Sequence, residues 1–190
     1  MWISPWLQSA IMPDEIDVCG VVCKPITIWH SLVLRRVGCA FFSDQNPTMD
    51  DCAVLLAHCS GGIQHGRRYY NSDGYRELIN NRIFKRLRKA GTKRAIDACA
   101  DYVASSLRTP GHTEWTGKGN GEYRSINSPI EYVLLHFLCA GSPDKMVAAW
   151  DTPYATARCM YDATREISGN DDTVISEKRE YSTDKILGVA

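Results

Sequence analysis

The sequence predicts an all-α protein, a compact bundle of six or seven helices. Apolar residues recur at helical spacing through most of the chain, and residues typical of helix N-termini precede those stretches. The 190 residues are 44% hydrophobic and 23% charged, which is typical of a globular protein that buries a sizeable core. Because the longest uncharged apolar run is far below the roughly 20 residues that a membrane helix needs, we expect a soluble protein with no membrane partner.

The first two helices are each predicted from a threonine that precedes a helical pattern. Thr27 is the expected N-cap of the first helix, which ends near Gly38. The side chains expected on its apolar face are Ile28, Trp29, Leu32 and Val33. Thr48 begins the second helix, and the carboxylates of Asp50 and Asp51 suit the free N–H groups of its first turn. The residues predicted to face the core here are Met49, Cys52, Ala53 and Leu56.

The third helix, predicted over about 75–89, separates apolar from basic side chains. Its apolar positions recur every four residues at Ile79, Ile83 and Leu87. Basic side chains cluster roughly 90–110° around the helix axis from that stripe. They form a predicted basic patch of Arg82, Lys85, Arg86 and Lys89. Thr92 is the expected cap of a fourth helix, whose apolar positions are Ile96, Cys99, Ala100, Val103 and Leu107.

Residues 128–190 contain the clearest helix start in the chain. Ser128, Pro129 and Glu131 fit the N-cap, N1 and N3 positions of a capping box. The apolar face of this helix is expected to hold Ile130, Val133, Leu134, Phe137 and Leu138. A further apolar stripe follows at Val147, Trp150, Tyr154, Ala157 and Tyr161. Pro153 interrupts that stripe, and it either kinks one helix or restarts it with Asp151 or Thr152 as the new cap.

Glycine, proline and polar residues define the segments between helices. Those predicted to lack helix are the lead-in 1–24, the polar loop 61–74, the Gly-rich loop 109–127 and the polar tail from 170 onward. Within the lead-in, 16–23 is compatible with a short strand that Gly20 weakens. The loop 109–127 connects the N-terminal region, residues 1–108, to the C-terminal region, residues 128–190, with a minor β-hairpin as an alternative. We expect both regions to pack as one compact unit.

The sequence contains no motif that indicates an enzyme. Cys52, His58, Cys59 and His65 superficially resemble a metal site, but their spacings do not fit the paired ligands of structural zinc. We therefore predict core thiols, histidines near a helix end, and no metal, cofactor or catalytic residue. The sequence begins without the positive segment of a secretory signal, so the eight cysteines are expected to be reduced and structural.

The charge distribution is the strongest anomaly of the sequence. Residues 67–94 hold ten Lys or Arg against two acidic side chains, a net charge of +8, although the whole chain is formally neutral. One hypothesis is phosphate contact by a nucleic-acid-binding module, with Tyr69, Tyr70 and Tyr75 available to stack on bases. A second is recognition of an acidic protein partner, and a third is a solvated helix face.

Several short motifs resemble those of tailed-phage tail assembly chaperone-like proteins. The N-terminal motifs are 25–34 (PITIWHSLVL), 38–41 (GCAF), 47–51 (PTMDD) and 58–60 (HCS). The C-terminal motifs are 150–154 (WDTPY), 161–163 (YDA) and 166–169, which begins with Glu and ends with Gly. The polar tail from 170 onward also resembles the C-terminal part of these proteins, and with it the resemblance covers about half of the chain, with the basic segment 67–94 between the two groups.

The resemblance implies a non-enzymatic helical protein that binds the long tape-measure protein of a phage tail during assembly. It implies a location in the bacterial host cytoplasm, with the virion as the alternative. Helix-in-groove binding covers apolar helix faces that otherwise aggregate. The candidate partner-binding residues are Trp29, Met146, Trp150, Tyr154 and Tyr161. Other hypotheses are a tail or neck subunit of the virion that assembles through symmetric contacts, and the nucleic-acid-binding module.

Overall fold

The computed structural model describes residues 13–108, 129–140 and 142–167, and their fold is mostly helical. The eight α-helices of the described ranges are α1 (Ile28–Arg36), α2 (Met49–Cys59), α3 (Ile63–Asn71), α4 (Asp73–Ala90), α5 (Thr92–Leu107), α6 (Ile130–Cys139), α7 (Met146–Trp150) and α8 (Tyr154–Ile167). Short 3-10 helices lie at Ala40–Phe42 and Pro143–Lys145. None of the helices in these ranges combines the length and apolar character needed to cross a membrane. The predicted helical fold is confirmed.

The β-sheet of the described residues is one antiparallel hairpin near the N-terminus. Its strands are β1 (Ile16–Val18) and β2 (Val21–Cys23), and Val18 pairs with Val21 across the turn. The single strand predicted over 16–23 is therefore two strands, and Gly20 lies in the turn between them. The alternative hairpin in 109–127 falls outside the described residues, as does the tail from 170 onward.

Helix α2 is the centre of the larger core. Its buried residues lie on all sides of the helix: Cys52, Ala53, Leu55, Leu56, Ala57, His58 and Cys59. The hairpin, α1, α4 and α5 all contact it. The predicted stripe of α4 is confirmed, because Ile79, Ile83 and Leu87 are buried in this core. The N-cap predicted at Thr48 is also confirmed, since its hydroxyl accepts a hydrogen bond from the Asp51 N–H.

A helix replaces much of the loop predicted over 61–74. Helix α3 buries Ile63, Gly66 and Tyr69, which recur every three residues along one side. Only two of these have large apolar side chains, and for that reason the pattern was too weak to predict a helix. The aspartate predicted as a new cap near Pro153 instead serves α3, because Oδ1 of Asp151 accepts a hydrogen bond of 2.8 Å from the Ile63 N–H.

The predicted apolar face of α1 is partly wrong. Thr27 is the N-cap as expected, but His30 and Ser31 are buried beside Ile28 and Leu34, whereas Trp29, Leu32 and Val33 are only partly buried. Both polar side chains have distant partners. Nε2 of His30 lies 2.7 Å from the Gly61 carbonyl oxygen, and the Ser31 hydroxyl donates to Oε1 of Glu131 over 2.6 Å. These partners satisfy polar groups that helical periodicity alone places outside the core.

Glu131 is a buried partner of α1 and makes no cap for α6. Pro129 is the residue before the first helical position of α6 and makes no side-chain cap bond, whereas the predicted cap, Ser128, lies outside the described residues. The Glu131 carboxylate also lies 3.2 Å from Nε of Arg35, so it joins α6 to α1. Helix α5 likewise differs from its prediction, because it begins at Thr92 after Gly91, without a side-chain cap.

Pro153 restarts the helix, so that α7 and α8 are separate elements. The main chain around it pairs with the segment before α1. The Ile28 N–H donates to the Thr152 carbonyl over 3.1 Å, and the Tyr154 N–H donates to the Ile26 carbonyl over 2.8 Å. These bonds attach the C-terminal helices to the N-terminal region, and Ile28, Leu134 and Ala157 form a second small core there.

Candidate partner-binding surfaces

The five predicted partner-binding residues occupy three different environments. Trp150, Tyr154 and Tyr161 are partly buried and pack against the small core of Ile28, Leu134 and Ala157. Trp29 lies on another side of α1, where its ring packs against Gly66 of α3. Met146 is exposed at the start of α7. The structure therefore brings three of the aromatic residues together and leaves Trp29 apart from them.

An exposed apolar surface lies where α6 meets α7. Tyr132 is 48% exposed, and Met146 and Val147 are each 43% exposed. The Tyr132 ring meets the Trp150 ring edge to face, with centroids 5.9 Å apart. Met146 and Val147 lie four and three residues before Trp150, a spacing that places them on its side of the helix. We call Tyr132, Met146, Val147 and Trp150 the apolar surface.

Sequence reasoning missed two members of the apolar surface. Val147 belongs to the stripe that periodicity assigns to the core, and no pattern in the sequence singles out Tyr132. The signal for Val147 was the short interval between Pro143 and Pro153, which leaves a helix of only five residues. A helix of little more than one turn cannot bury side chains on every side against a single neighbour.

The predicted basic patch is exposed on α4 but divides into two pairs. Arg82, Lys85, Arg86 and Lys89 are all exposed, on a different side of the helix from the buried stripe. Arg82 and Arg86 line a cleft of about 350 Å³, whereas the two lysines do not. Spacing of four residues puts the arginines one turn apart on the same side of the helix. We refer to this space as the basic cleft.

The basic cleft lies between the hairpin and α4. Its lining residues are Gly20, Val21, Val22, Ser60, His65, Tyr75, Ile79, Arg82, Ile83 and Arg86. The Arg86 guanidinium lies so close to the turn that a Cβ on Gly20 would come within 2.7 Å of Nη1. Gly20 has a φ of 79°, which an L side chain rarely adopts. The turn conformation therefore favours glycine here, and the absence of a side chain leaves room for Arg86.

Polar side chains of His65 and Tyr75 close one end of the basic cleft. Nε2 of His65 lies 2.8 Å from the Ala57 carbonyl oxygen, which can only accept, so this nitrogen carries the proton. Nδ1 of His65 lies 2.9 Å from the Tyr75 hydroxyl oxygen, so both ring nitrogens have a hydrogen-bond partner. The Arg68 guanidinium lies 4.3 Å from the centroid of the Tyr75 ring and covers that face. The guanidinium groups that line the cleft are those of Arg82 and Arg86.

Two of the three tyrosines proposed to stack on bases are covered. Tyr69 is buried, and its hydroxyl donates to Asn80 over 2.9 Å. One face of Tyr75 lies beneath Arg68. Tyr70 is exposed, and its hydroxyl lies 2.7 Å from Nε2 of His58. A platform on which successive bases stack needs several open aromatic faces, so the tyrosines give little support to single-strand binding.

The thiols are mainly core groups. Seven of the eight cysteines are buried, and Cys19 is partly buried. Burial raises the pKa of Cys39 to about 11 and that of Cys59 to about 12. The Cys39 and Cys59 thiols are therefore protonated at neutral pH and are poor nucleophiles. Within the described ranges, no three His, Cys, Asp or Glu side chains converge as a metal site requires.

Comparison with known proteins adds no relative to this description. No protein-family model matches the chain, and searches of the curated proteins and of the solved structures gave no match. The tail-chaperone resemblance of the short motifs therefore stays a prediction.

Proposed function

We propose that this protein is a non-enzymatic assembly chaperone or adaptor of a phage-type tail, which binds a long helical partner of the tape-measure type in the bacterial host cytoplasm. The observation that carries the proposal is the apolar surface of Tyr132, Met146, Val147 and Trp150. The resemblance of the motifs around α1, α2 and α8 supports the same function.

The chemistry of the apolar surface suits an amphipathic helix. Tyr132 and Trp150 supply a rigid aromatic pair, and aromatic residues are the side chains most enriched in the cores of protein interfaces. The unbranched Met146 side chain adapts to irregular partner surfaces. Exposed Asp144 and Lys145 adjoin the surface in sequence and provide the polar rim that interfaces usually have.

The size of the apolar surface argues for a long partner. Full burial of a large apolar side chain contributes roughly 1.5–3 kcal/mol. Covering a side chain that is already about half buried therefore contributes about 1 kcal/mol. Three such side chains give about 3 kcal/mol, which does not exceed the entropy cost of forming a one-to-one complex. Binding of many copies along one extended partner, with contacts between neighbours, provides the additional stabilisation.

Co-expression with the tape-measure protein of the same phage tests this proposal. We expect the partner to be insoluble alone and to co-elute with this protein on size exclusion when both are present. Replacing both Met146 and Val147 by Glu places two charges in the apolar surface and should abolish the complex. Leu78→Glu is the control for placing a charge at an exposed apolar position, because Leu78 is exposed on α4, away from this surface. A complex that survives the double replacement, or a partner that is soluble alone, refutes the proposal.

Mass spectrometry of purified particles separates the chaperone from the virion-subunit hypothesis. A chaperone is absent from the finished tail, whereas a tail or neck subunit is present in a fixed copy number.

The nucleic-acid hypothesis predicts DNA binding that weakens steeply with salt and is lost when Arg82, Arg86 and Lys89 are replaced by Glu.

A further inference from the structure

The turn of the hairpin fixes which backbone groups are free on β2. Cys19 and Gly20 both have positive φ, 56° and 79°, as the two central residues of a type I′ turn do. In such a hairpin the flanking residues, Val18 and Val21, form the hydrogen-bonded pair. Val22 is opposite Asp17 in the next pair, which is not hydrogen-bonded. The N–H and C=O of Val22 therefore point outward from β2.

The outer edge of β2 faces the basic cleft. The Lys24 N–H is two residues further along the same edge, and it donates to the Cys59 carbonyl over 2.8 Å. This bond turns the edge toward the C-terminal end of α2, where Ser60 and Val22 both line the cleft. No hydrogen bond to the Val22 main chain occurs among the residues that the structure describes. An unpaired strand edge is a template for another strand.

The opposite wall of the cleft presents positive charge. Arg82 and Arg86 are one turn apart on α4, and neither forms an ion pair within the described stretches of the chain. The Arg86 guanidinium lies next to Gly20 in the turn. Between the two walls lie the apolar side chains of Val21, Ile79 and Ile83. The cleft thus combines a free strand edge, an apolar floor and two guanidinium groups.

We propose that the basic cleft binds an extended acidic segment of a protein partner. One residue of that segment pairs with the N–H and C=O of Val22, as in strand addition. A neighbouring Asp or Glu side chain meets Arg82 and Arg86, whose planar groups can each donate two hydrogen bonds to a carboxylate. A protein segment is favoured over nucleic acid, because only the protein backbone matches the free edge and because Tyr69 and Tyr75 are covered.

This site is independent of the proposed chaperone function. The basic cleft and the apolar surface have no residue in common and are formed by different helices. If no complex with a tape-measure protein forms, the proposal for the basic cleft still stands. If the cleft binds no acidic peptide, the proposed chaperone function still stands.

The test is a titration of the full chain with a short synthetic peptide of alternating Glu and Val, monitored by amide NMR at low salt. We expect saturable shifts at β2 and slowed hydrogen exchange of the Val22 amide. The matched peptide with Gln in place of Glu should bind at least about tenfold more weakly, because the ion pairs with the arginines are lost.

Two charge-matched variants localise the binding. Arg82→Glu with Arg86→Glu should weaken peptide binding at least about tenfold. Lys85→Glu with Lys89→Glu changes the net charge equally on the same helix but outside the cleft, so it should weaken binding by less than about threefold. All four side chains are exposed, so both variants should fold, and circular dichroism checks this.

A backbone variant tests the strand edge separately from charge. Val22→Pro removes the N–H that points outward and leaves both arginines in place, and proline is tolerated on an edge strand. We expect this variant to lose most of the peptide affinity. Equal weakening by both charge variants, equal affinity for the Gln peptide, or unchanged exchange at Val22 overturns the proposal. Displacement of the peptide by an oligonucleotide that binds more tightly also overturns it, in favour of a nucleic-acid surface.

Discussion

Acidification should destabilise this protein well before its carboxylates titrate, because His30 is buried as a neutral ring. The side chain is fully inaccessible to solvent. Nδ1 accepts from the Thr27 N–H over 3.1 Å, and Nε2 therefore donates to the Gly61 carbonyl over 2.7 Å. Burial lowers the pKa of His30 from 6.5 to about 4, with nearby His58 acting in the same direction and Asp151 opposing it.

The magnitude follows from the difference between the folded and the unfolded pKa. Below pH 6.5 the unfolded chain binds a proton at this residue, whereas the folded chain does not until the pH approaches 4. Stability is thus full above the unfolded pKa and falls as the pH decreases toward the folded pKa. Between neutral pH and about pH 5 the loss from His30 is about 2 kcal/mol, since one unit of pKa corresponds to about 1.4 kcal/mol. Burial also lowers the pKa of His58, which adds to the loss in the same pH range.

Urea unfolding of the wild type and of His30→Gln across this pH range measures the effect. Gln at this third helical position preserves the capping box with Thr27 but has no ionisable group. The variant is expected to be less stable at neutral pH, since it loses the ring packing, so the informative quantity is the dependence on pH. Its loss between neutral pH and about pH 5 should be smaller than that of the wild type by about 2 kcal/mol. Equal pH dependence in both proteins refutes the assignment of a neutral buried His30.

Two further predictions concern contacts between helices and are measured by urea unfolding at neutral pH. Gly66→Ala places a methyl group inside the Trp29 ring and should cost about 1–3 kcal/mol, part of which Trp29→Phe restores in the double variant. If the losses of stability in the two single variants simply add in the double variant, the proposed clash is contradicted. Glu131→Ala leaves the buried Ser31 hydroxyl without its acceptor and should cost about 2 kcal/mol, whereas Ser31→Ala in the same background should recover part of it. No recovery in the double variant contradicts the role of this hydrogen bond.

Helices whose core contacts come from one apolar stripe could be predicted from the sequence. Ile79, Ile83 and Leu87 lie four residues apart and are all buried, so local periodicity was sufficient for α4. Thr27 and Thr48 cap helices as predicted, because the cap bond joins residues three positions apart. In each of these cases the information is contained within one or two turns of the chain.

The differences arise where distant residues decide which groups are buried. His30 and Ser31 are core residues of α1 because Gly61 and Glu131, far along the chain, accept their hydrogen bonds. In helix α3, Gly66 has no side chain and so leaves room for the Trp29 ring. From composition alone, a glycine at this position predicts an interruption of the helix. Such long-range pairings leave no periodic signal in the sequence.

The basic patch shows the same limit at a candidate site. Its four residues are all exposed, but periodicity treated them as equivalent. The register of the hairpin separates them, since it places Gly20 against Arg86 and leaves the two lysines outside the cleft. The residue types agree with that division, because arginine can bind a carboxylate through two parallel hydrogen bonds and lysine cannot.

The two proposed surfaces depend on different forces, and this difference constrains how a single partner could use both. Binding at the basic cleft relies on charge and weakens as salt screens Arg82 and Arg86. Binding at the apolar surface relies on burial of Met146 and Val147, which salt does not weaken. A partner that engages both sites loses only the cleft contribution at high salt, whereas a partner of the apolar surface alone keeps its full affinity. Salt dependence of the complex therefore reports whether the strong positive charge of residues 67–94 takes part in binding.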